Sequence, residues 1–228
     1  MQVKSIDDLE KVIGYSFKDK SLIKRALTHS SYANEQKINK NGDYERLEFL
    51  GDAVLELVSS DFFYHRYANL DEGSLTKMRS AHVCEPALAY CAREFGLEDY
   101  ILLGKGEDRT GGRNRDSIIS DVCEAIIGAM YLDGGMEIAH GFIHRFILND
   151  SDNKLLFYDS KSILQEMVQA DNHDTLTYKL VDESGPDHDK EFTVEVYISD
   201  KCEGRGKGKT KKSAEQMAAY EAIKKLKG

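Results

Sequence analysis

Two hydrophobic periods occupy this chain one after the other, and the change between them restricts what it can fold into. As far as about residue 148, apolar residues recur at helical spacing: Leu9, Val12 and Ile13, then Leu22, Ile23, Ala26 and Leu27. A long helix is expected over about 44–67, carrying Leu47, Leu50, Val54, Leu57, Val58 and Phe62. Others are expected near 74–95, 116–131 and 136–148, and nothing in this half alternates as a strand does. The run Asn149-Asp-Ser-Asp-Asn-Lys154 is polar and turn-forming. Beyond it, 160–169 reads as a short amphipathic helix, with Ile163, Leu164, Met167 and Val168 on its apolar side. Segments 176–181 and 192–198 alternate with period two, a third strand is expected near 201–207, and a helix over about 212–226 closes the chain. The fold expected is an all-α domain over 1–150, a linker over 151–157 and a small α+β module, α-β-β-β-α, over 158–228.

The longest uncharged apolar stretch near the middle, 125–132, is too short to span a bilayer. No apolar core follows the first lysine, so neither a signal peptide nor a membrane association is expected, and a cytoplasmic location is. Cys84, Cys91, Cys123 and Cys202 form no C-x-x-C pair or zinc-finger grouping, and are expected as buried free thiols. The net charge of −9 is unevenly distributed. Six basic residues and one acidic residue lie within 201–212, a local concentration suited to contacting phosphates.

Two helical segments carry four acids without local partners. Glu48 and Asp52 are four residues apart, Asp121 and Glu124 three, so each pair shares a helix face. Neither Lys nor Arg stands one turn from any of them, although like charges at this spacing repel. One reading is a solvated acidic face, or pairing with cations distant in sequence. The other is a site for a hard divalent cation such as Mg²⁺ or Mn²⁺, which oxygen ligands suit. Spacing alone names no substrate.

The stretch Tyr44-Glu-Arg-Leu-Glu-Phe-Leu-Gly-Asp52 resembles the nine-residue motif of the ribonuclease III family. Leu27-Thr-His-Ser-Ser-Tyr32, Asp71-Glu-Gly-Ser-Leu-Thr-Lys-Met-Arg79, and Asp121-x-x-Glu-Ala-x-x-Gly128 follow that family's order. The second half is similar to a double-stranded RNA-binding domain, including Gly206-x-Gly-x-x-Lys-Lys-x-Ala-Glu-Gln216. The resemblance implies an endonuclease domain and an RNA-binding domain. It implies Mg²⁺-dependent hydrolysis of double-stranded RNA, with Mn²⁺ able to substitute, to 5′-phosphate and 3′-hydroxyl ends with short 3′ overhangs. Ribosomal RNA precursors and other structured transcripts are the implied targets.

Glu48, Asp52, Asp121 and Glu124 match the family's metal ligands, with Asp52 and Glu124 central to catalysis. Glu45 and Glu72 match acids that place the scissile strand, and Phe49 matches the aromatic residue that enters a socket on a second subunit. A homodimer without a nucleotide cofactor is implied. Ala53 stands where many members carry Ser, a position that is not a ligand. Ser162, Gln165 and Glu166 match one minor-groove contact of such domains, and His188, in the loop 185–188, matches the next. Lys209, Lys211 and Lys212 are placed to meet phosphates. Gly204, Gly206 and Gly208 mark a close backbone approach.

A non-cutting double-stranded RNA-binding protein is the competing reading, and the four acids argue against it. A hydrolase of small nucleotides is weaker still, given the second module. The glycine-rich 104–115 lacks a phosphate-loop ending and reads as a flexible loop near the site, with Arg113 and Arg115 towards RNA. His140 and His144 lie at ligand spacing without a third ligand and read as surface residues. His29 reads as structural.

Overall fold

The computed structural model describes residues 3–37, 42–149, 160–170, 175–185, 190–208 and 210–227. Two compact units divide the chain, Met1–Ser151 and Asp152–Gly228. The segment expected as linker, 151–157, lies outside the described residues.

The first unit contains helices α1 (Ile6–Ile13), α2 (Lys20–Ala26), α3 (Ser30–Glu35), α4 (Glu45–Arg66), α5 (Glu72–Val83), α6 (Glu85–Glu94), α7 (Lys105–Arg109), α8 (Asp116–Gly134) and α9 (Met136–Phe146). Side-chain caps start several of them: Ser5 accepts from the Asp8 amide, Asp19 from Ser21 and Asp71 from Ser74. Helix α8 is the core of the unit. Ile118, Ile119, Val122, Cys123, Ala125, Ile126, Ile127, Ala129 and Met130 are all buried, so its apolar surface reaches almost around the helix. Among the described residues the only β pairing here is an isolated parallel bridge between Thr28 and Leu102.

The helical expectation near 74–95 needs a correction. The chain breaks at Cys84, which is extended at ψ 157°, and Pro86 then sits in the first turn of α6. Proline lacks the amide that would have continued the preceding helix, but it is compatible with a new first turn. The loop expected over 104–115 is instead built. Arg113, 8% exposed, donates to the Glu98 carbonyl at 2.6 Å, the Ile101 carbonyl at 3.0 Å and Asp108 at 3.0 Å. It pins this segment from inside, where the sequence reading turns it outward; Arg115 pairs with Glu107 at 2.7 Å.

In the second unit α10 (Ser160–Ala170) precedes an antiparallel sheet, β1 (Leu176–Ser184), β2 (Glu191–Ile198) and β3 (Lys201–Gly208), in the order β1-β2-β3. Helix α11 (Lys211–Lys227) follows. Leu164 and Val168 of α10, Val194 and Val196 of β2, and Ala214, Ala218, Ala219, Ala222 and Ile223 of α11 form its separate core. The glycines of β3 serve this packing. A Cβ on Gly204 would overlap the Ala218 carbonyl oxygen, and one on Gly206 the Ala218 nitrogen. The close approach marked by these glycines is therefore to α11.

All four cysteines are free, but only Cys91 and Cys123 are buried; Cys84 and Cys202 are exposed. No helix among the described residues is long and apolar enough to cross a membrane.

Candidate functional site

The site begins with two glycines. Helices α4 and α8 cross where Gly51 faces Gly128: a Cβ on Gly51 would overlap the Glu124 carbonyl oxygen and come within 2.9 Å of the Gly128 nitrogen. A Cβ on Gly128 would overlap the Leu47 carbonyl oxygen. Backbone therefore touches backbone, with no room at either glycine for a side chain. Gly51 is flanked by Asp52 and lies three residues after Glu48; Gly128 lies four after Glu124. The closest approach of the two helices thus falls where both pairs of acids project.

The two pairs are near enough to act on one another electrostatically. Burial pushes the Glu48 carboxyl up to about 7, helped by the negative charges of Asp121, Glu45 and Asp52. Burial likewise raises Glu124 to about 8, with Asp52, Asp121, Glu48 and Glu56 adding to the effect. Asp121 is raised by burial and pulled back by a hydrogen bond from the Tyr44 hydroxyl at 3.1 Å. Among the described residues no Lys or Arg forms an ion pair with any of the four. Arg79, which with Lys77 makes up the Lys and Arg of α5, is engaged by Glu56 at 2.8 Å and Ser60 at 2.8 Å.

This donor set suits a hard divalent cation: Glu48, Asp121 and Glu124 are half-buried carboxyls whose charge is costly until a positive charge arrives, and Asp52 beside them is exposed. The backbones are placed for it, but the side chains are not gathered. Among the described residues no three His, Cys, Asp or Glu side chains already stand in a metal-holding geometry.

Glu45, exposed at the start of α4, acts on Glu48. Glu72 stands elsewhere, beside Leu57, Tyr64, Leu70, Leu75 and Arg79 in a cleft of about 560 Å³ between α4 and α5. Phe49 is 81% exposed, which rules out a core phenylalanine. Ser162, Gln165 and Glu166 are exposed on α10, and Lys211 and Lys212 on the first turn of α11. His188 and Lys209 lie outside the described residues.

His29 is structural, as expected: its Nδ1 accepts the Ser31 amide at 3.1 Å and caps α3. His140 is exposed; His144 is half-buried, edge-on to Phe62 with ring centroids 5.3 Å apart. Tyr44 escaped the sequence reading, since its partner Asp121 is 77 residues away. Gly51 and Gly128 were visible only as motif letters, and what each touches depends on the crossing.

Comparison with known proteins gives two family matches. Residues 19–151 match the model described as Ribonuclease-III-like, and residues 160–226 the double-stranded RNA binding motif. A protein named Ribonuclease 3 from Caldanaerobacter subterraneus is 49% identical over 221 residues, covering 96% of each chain. One of the same name from Bacillus cereus is 46% identical over 217 residues, covering 94% of this chain and 89% of its own. The first unit is similar to the crystallised nuclease domain of ribonuclease III from Campylobacter jejuni. There the TM-score is 0.59 at 43% identity, covering 65% of this chain and 97% of that one.

Proposed function

This chain belongs to the ribonuclease III family of endoribonucleases acting on double-stranded RNA, and on that premise we propose that Glu48, Asp52, Asp121 and Glu124 hold the divalent cation for strand hydrolysis. The observation that carries the reading is the glycine crossing of α4 and α8. It sets the helix segments that carry the two pairs of acids backbone to backbone, and the acids have no cationic partner among the described residues. Mg²⁺ is the cation proposed, with Mn²⁺ as a substitute.

When bound, the cation neutralises phosphate charge and supplies an activated water. The chain's own residues do the rest. Asp52 and Glu124 are the acids proposed to lie nearest the reacting phosphate, with Glu48 and Asp121 completing the oxygen set. Glu124, protonated near neutrality while no cation is present, gives up its proton as the cation binds. Glu45 and Glu72 place the scissile strand. Cleavage leaves 5′-phosphate and 3′-hydroxyl ends with short 3′ overhangs, and the substrates include ribosomal RNA precursors and other structured transcripts in the cytoplasm.

The proposed assembly is a homodimer. A nuclease domain of ribonuclease III from Campylobacter jejuni, 44% identical over 63% of this chain, has structural flexibility in a region involved in dimer formation. Here an exposed Phe49 and an apolar-floored cleft lie on the same unit, so that Phe49 of each copy can enter the cleft of the other. The cleft also holds Glu72, which such pairing carries towards the second copy's acids.

RNA is held by the second unit. Ser162, Gln165 and Glu166 reach one minor groove, His188 the next, and Lys209, Lys211 and Lys212 the phosphates between. Incubating the full chain with a labelled RNA duplex, with and without Mg²⁺, tests the proposal. Mg²⁺-dependent cutting of duplex but not of single strands is expected; binding without cutting at any Mg²⁺ concentration would leave only an RNA-binding protein.

A further inference from the structure

The acids do not stand on the helix crossing alone. Tyr44, 5% exposed, donates its amide to the Thr28 carbonyl at 2.9 Å and its hydroxyl to Asp121 Oδ2 at 3.1 Å. Its ring lies beside that of His29, centroids 5.7 Å apart. His29 is itself fixed, because Ser31 meets its Nδ1 through both the amide, at 3.1 Å, and the hydroxyl, at 2.7 Å. The Ser31 hydroxyl oxygen in turn accepts the Gly104 amide at 2.9 Å. A contiguous line of contacts therefore runs from Gly104 through Ser31, His29 and Tyr44 to one oxygen of Asp121. Among the described residues no other side chain hydrogen-bonds that carboxylate.

We infer that Tyr44 is a positioning residue, whose hydroxyl holds Oδ2 of Asp121 and leaves Oδ1 turned to accept the divalent cation. The inference rests on the metal reading above and deepens it. An aspartate has two side-chain torsions, and a free one samples several orientations, each lost on binding. A hydroxyl on a buried, doubly anchored ring removes that freedom beforehand. Loss of such an outer partner of a metal ligand costs about 10–100-fold in metal affinity.

The test is Mn²⁺ binding to the full chain, followed by electron paramagnetic resonance, with thermal midpoints and RNA affinity measured alongside. Tyr44→Phe keeps the ring and removes only the hydroxyl. It is expected to weaken Mn²⁺ binding about tenfold, with RNA affinity and midpoint almost unchanged. In an Asp121→Asn background the same change is expected to do nothing further, a non-additivity that a purely structural tyrosine would not give. Unaltered Mn²⁺ affinity in Tyr44→Phe, or fully additive losses in the double variant, would overturn the inference while leaving the metal site standing. If Asp121→Asn and Glu124→Gln both bind Mn²⁺ as the unaltered chain does, the metal reading falls and this inference with it. Should Tyr44→Phe fail to fold, the hydroxyl proton of Tyr44 in the unaltered chain carries the test by nuclear magnetic resonance. Its signal is expected to move on adding Mg²⁺, and a signal that stays put overturns the role.

Discussion

Glu124 is where burial and neighbouring negative charge act together on one carboxyl. Its carboxyl is raised to about 8 in the fold, against an ordinary value of 4.5, so the folded chain holds a proton that the unfolded chain releases across that interval. Without a cation, the contribution of this carboxyl to stability is therefore greatest on the acid side and is lost as pH rises from about 4.5 towards 8. Glu124→Gln removes the part of this dependence that Glu124 carries and leaves that of Glu48. At pH 8, with chelator present, its melting midpoint should lie above that of the parent by about 3 °C, and the two should converge near pH 5. The same substitution should cut duplex cleavage in Mg²⁺ by more than about a hundredfold while RNA affinity survives. Full cleavage by this variant would remove Glu124 from the site. Glu48, raised to about 7, adds a second proton to displace. Mg²⁺ affinity should accordingly rise between pH 6 and 8, by up to about tenfold per pH unit for each proton released. Calorimetry in buffers of different ionisation enthalpy counts those protons, and a count of zero would contradict the shared site. The acids were legible in sequence because each lacked a cation one turn away. Tyr44 was not, since neither period nor spacing reports a hydrogen bond across 77 residues.

At the scale of elements, the crossing of α4 and α8 sets the segments that carry two sequence-local acid pairs against each other. Alanine is the better helix former by about 1 kcal/mol, so on propensity alone Gly51→Ala would stabilise α4. The added methyl would meet the Glu124 carbonyl, a backbone atom that no side-chain rotation can move aside. Gly51→Ala should therefore destabilise the first unit by about 3 kcal/mol, as overpacking in a tight interior does, and reduce Mg²⁺ affinity in whatever fraction folds. Denaturant unfolding measures the first effect, and a neutral result would show that the helices can separate at little cost. Helical period placed α4 to within a residue or two of Glu45–Arg66. It passed over the break at Cys84, because the apolar spacing on either side of Pro86 remains in phase. It also left 104–115 as a loop, since the burial of Arg113 depends on carbonyls at Glu98 and Ile101 that no local pattern reveals.

At the scale of the whole molecule, two cores with no shared residues describe two units that can divide the work. Removing 155–228 should lower affinity for an RNA duplex at physiological salt by at least about tenfold and flatten the salt dependence, because phosphate contacts leave with it. Cutting should persist at low salt, where association is less demanding; unchanged affinity after the deletion would contradict the division. Phe49→Ala should shift the chain towards monomer in sedimentation, since a large exposed ring has lost its place in the cleft of a second copy. A variant that sediments as the parent does would move the interface elsewhere. The change of hydrophobic period near residue 149 was legible because a helix and a sheet require different spacings. Phe49 was legible as an interface residue only through its motif, and its exposure, 81%, depends on how α4 packs in the first unit.

The bare contact between Gly51 and Gly128 also instructs anyone who wishes to redesign this enzyme. A library randomised throughout the neighbourhood of the four acids would spend most of its members on chains unable to bring α4 against α8. Diversity belongs at Ala53, which is exposed next to Asp52 and free of that contact, while hydrogen is kept as the side chain at both crossing points.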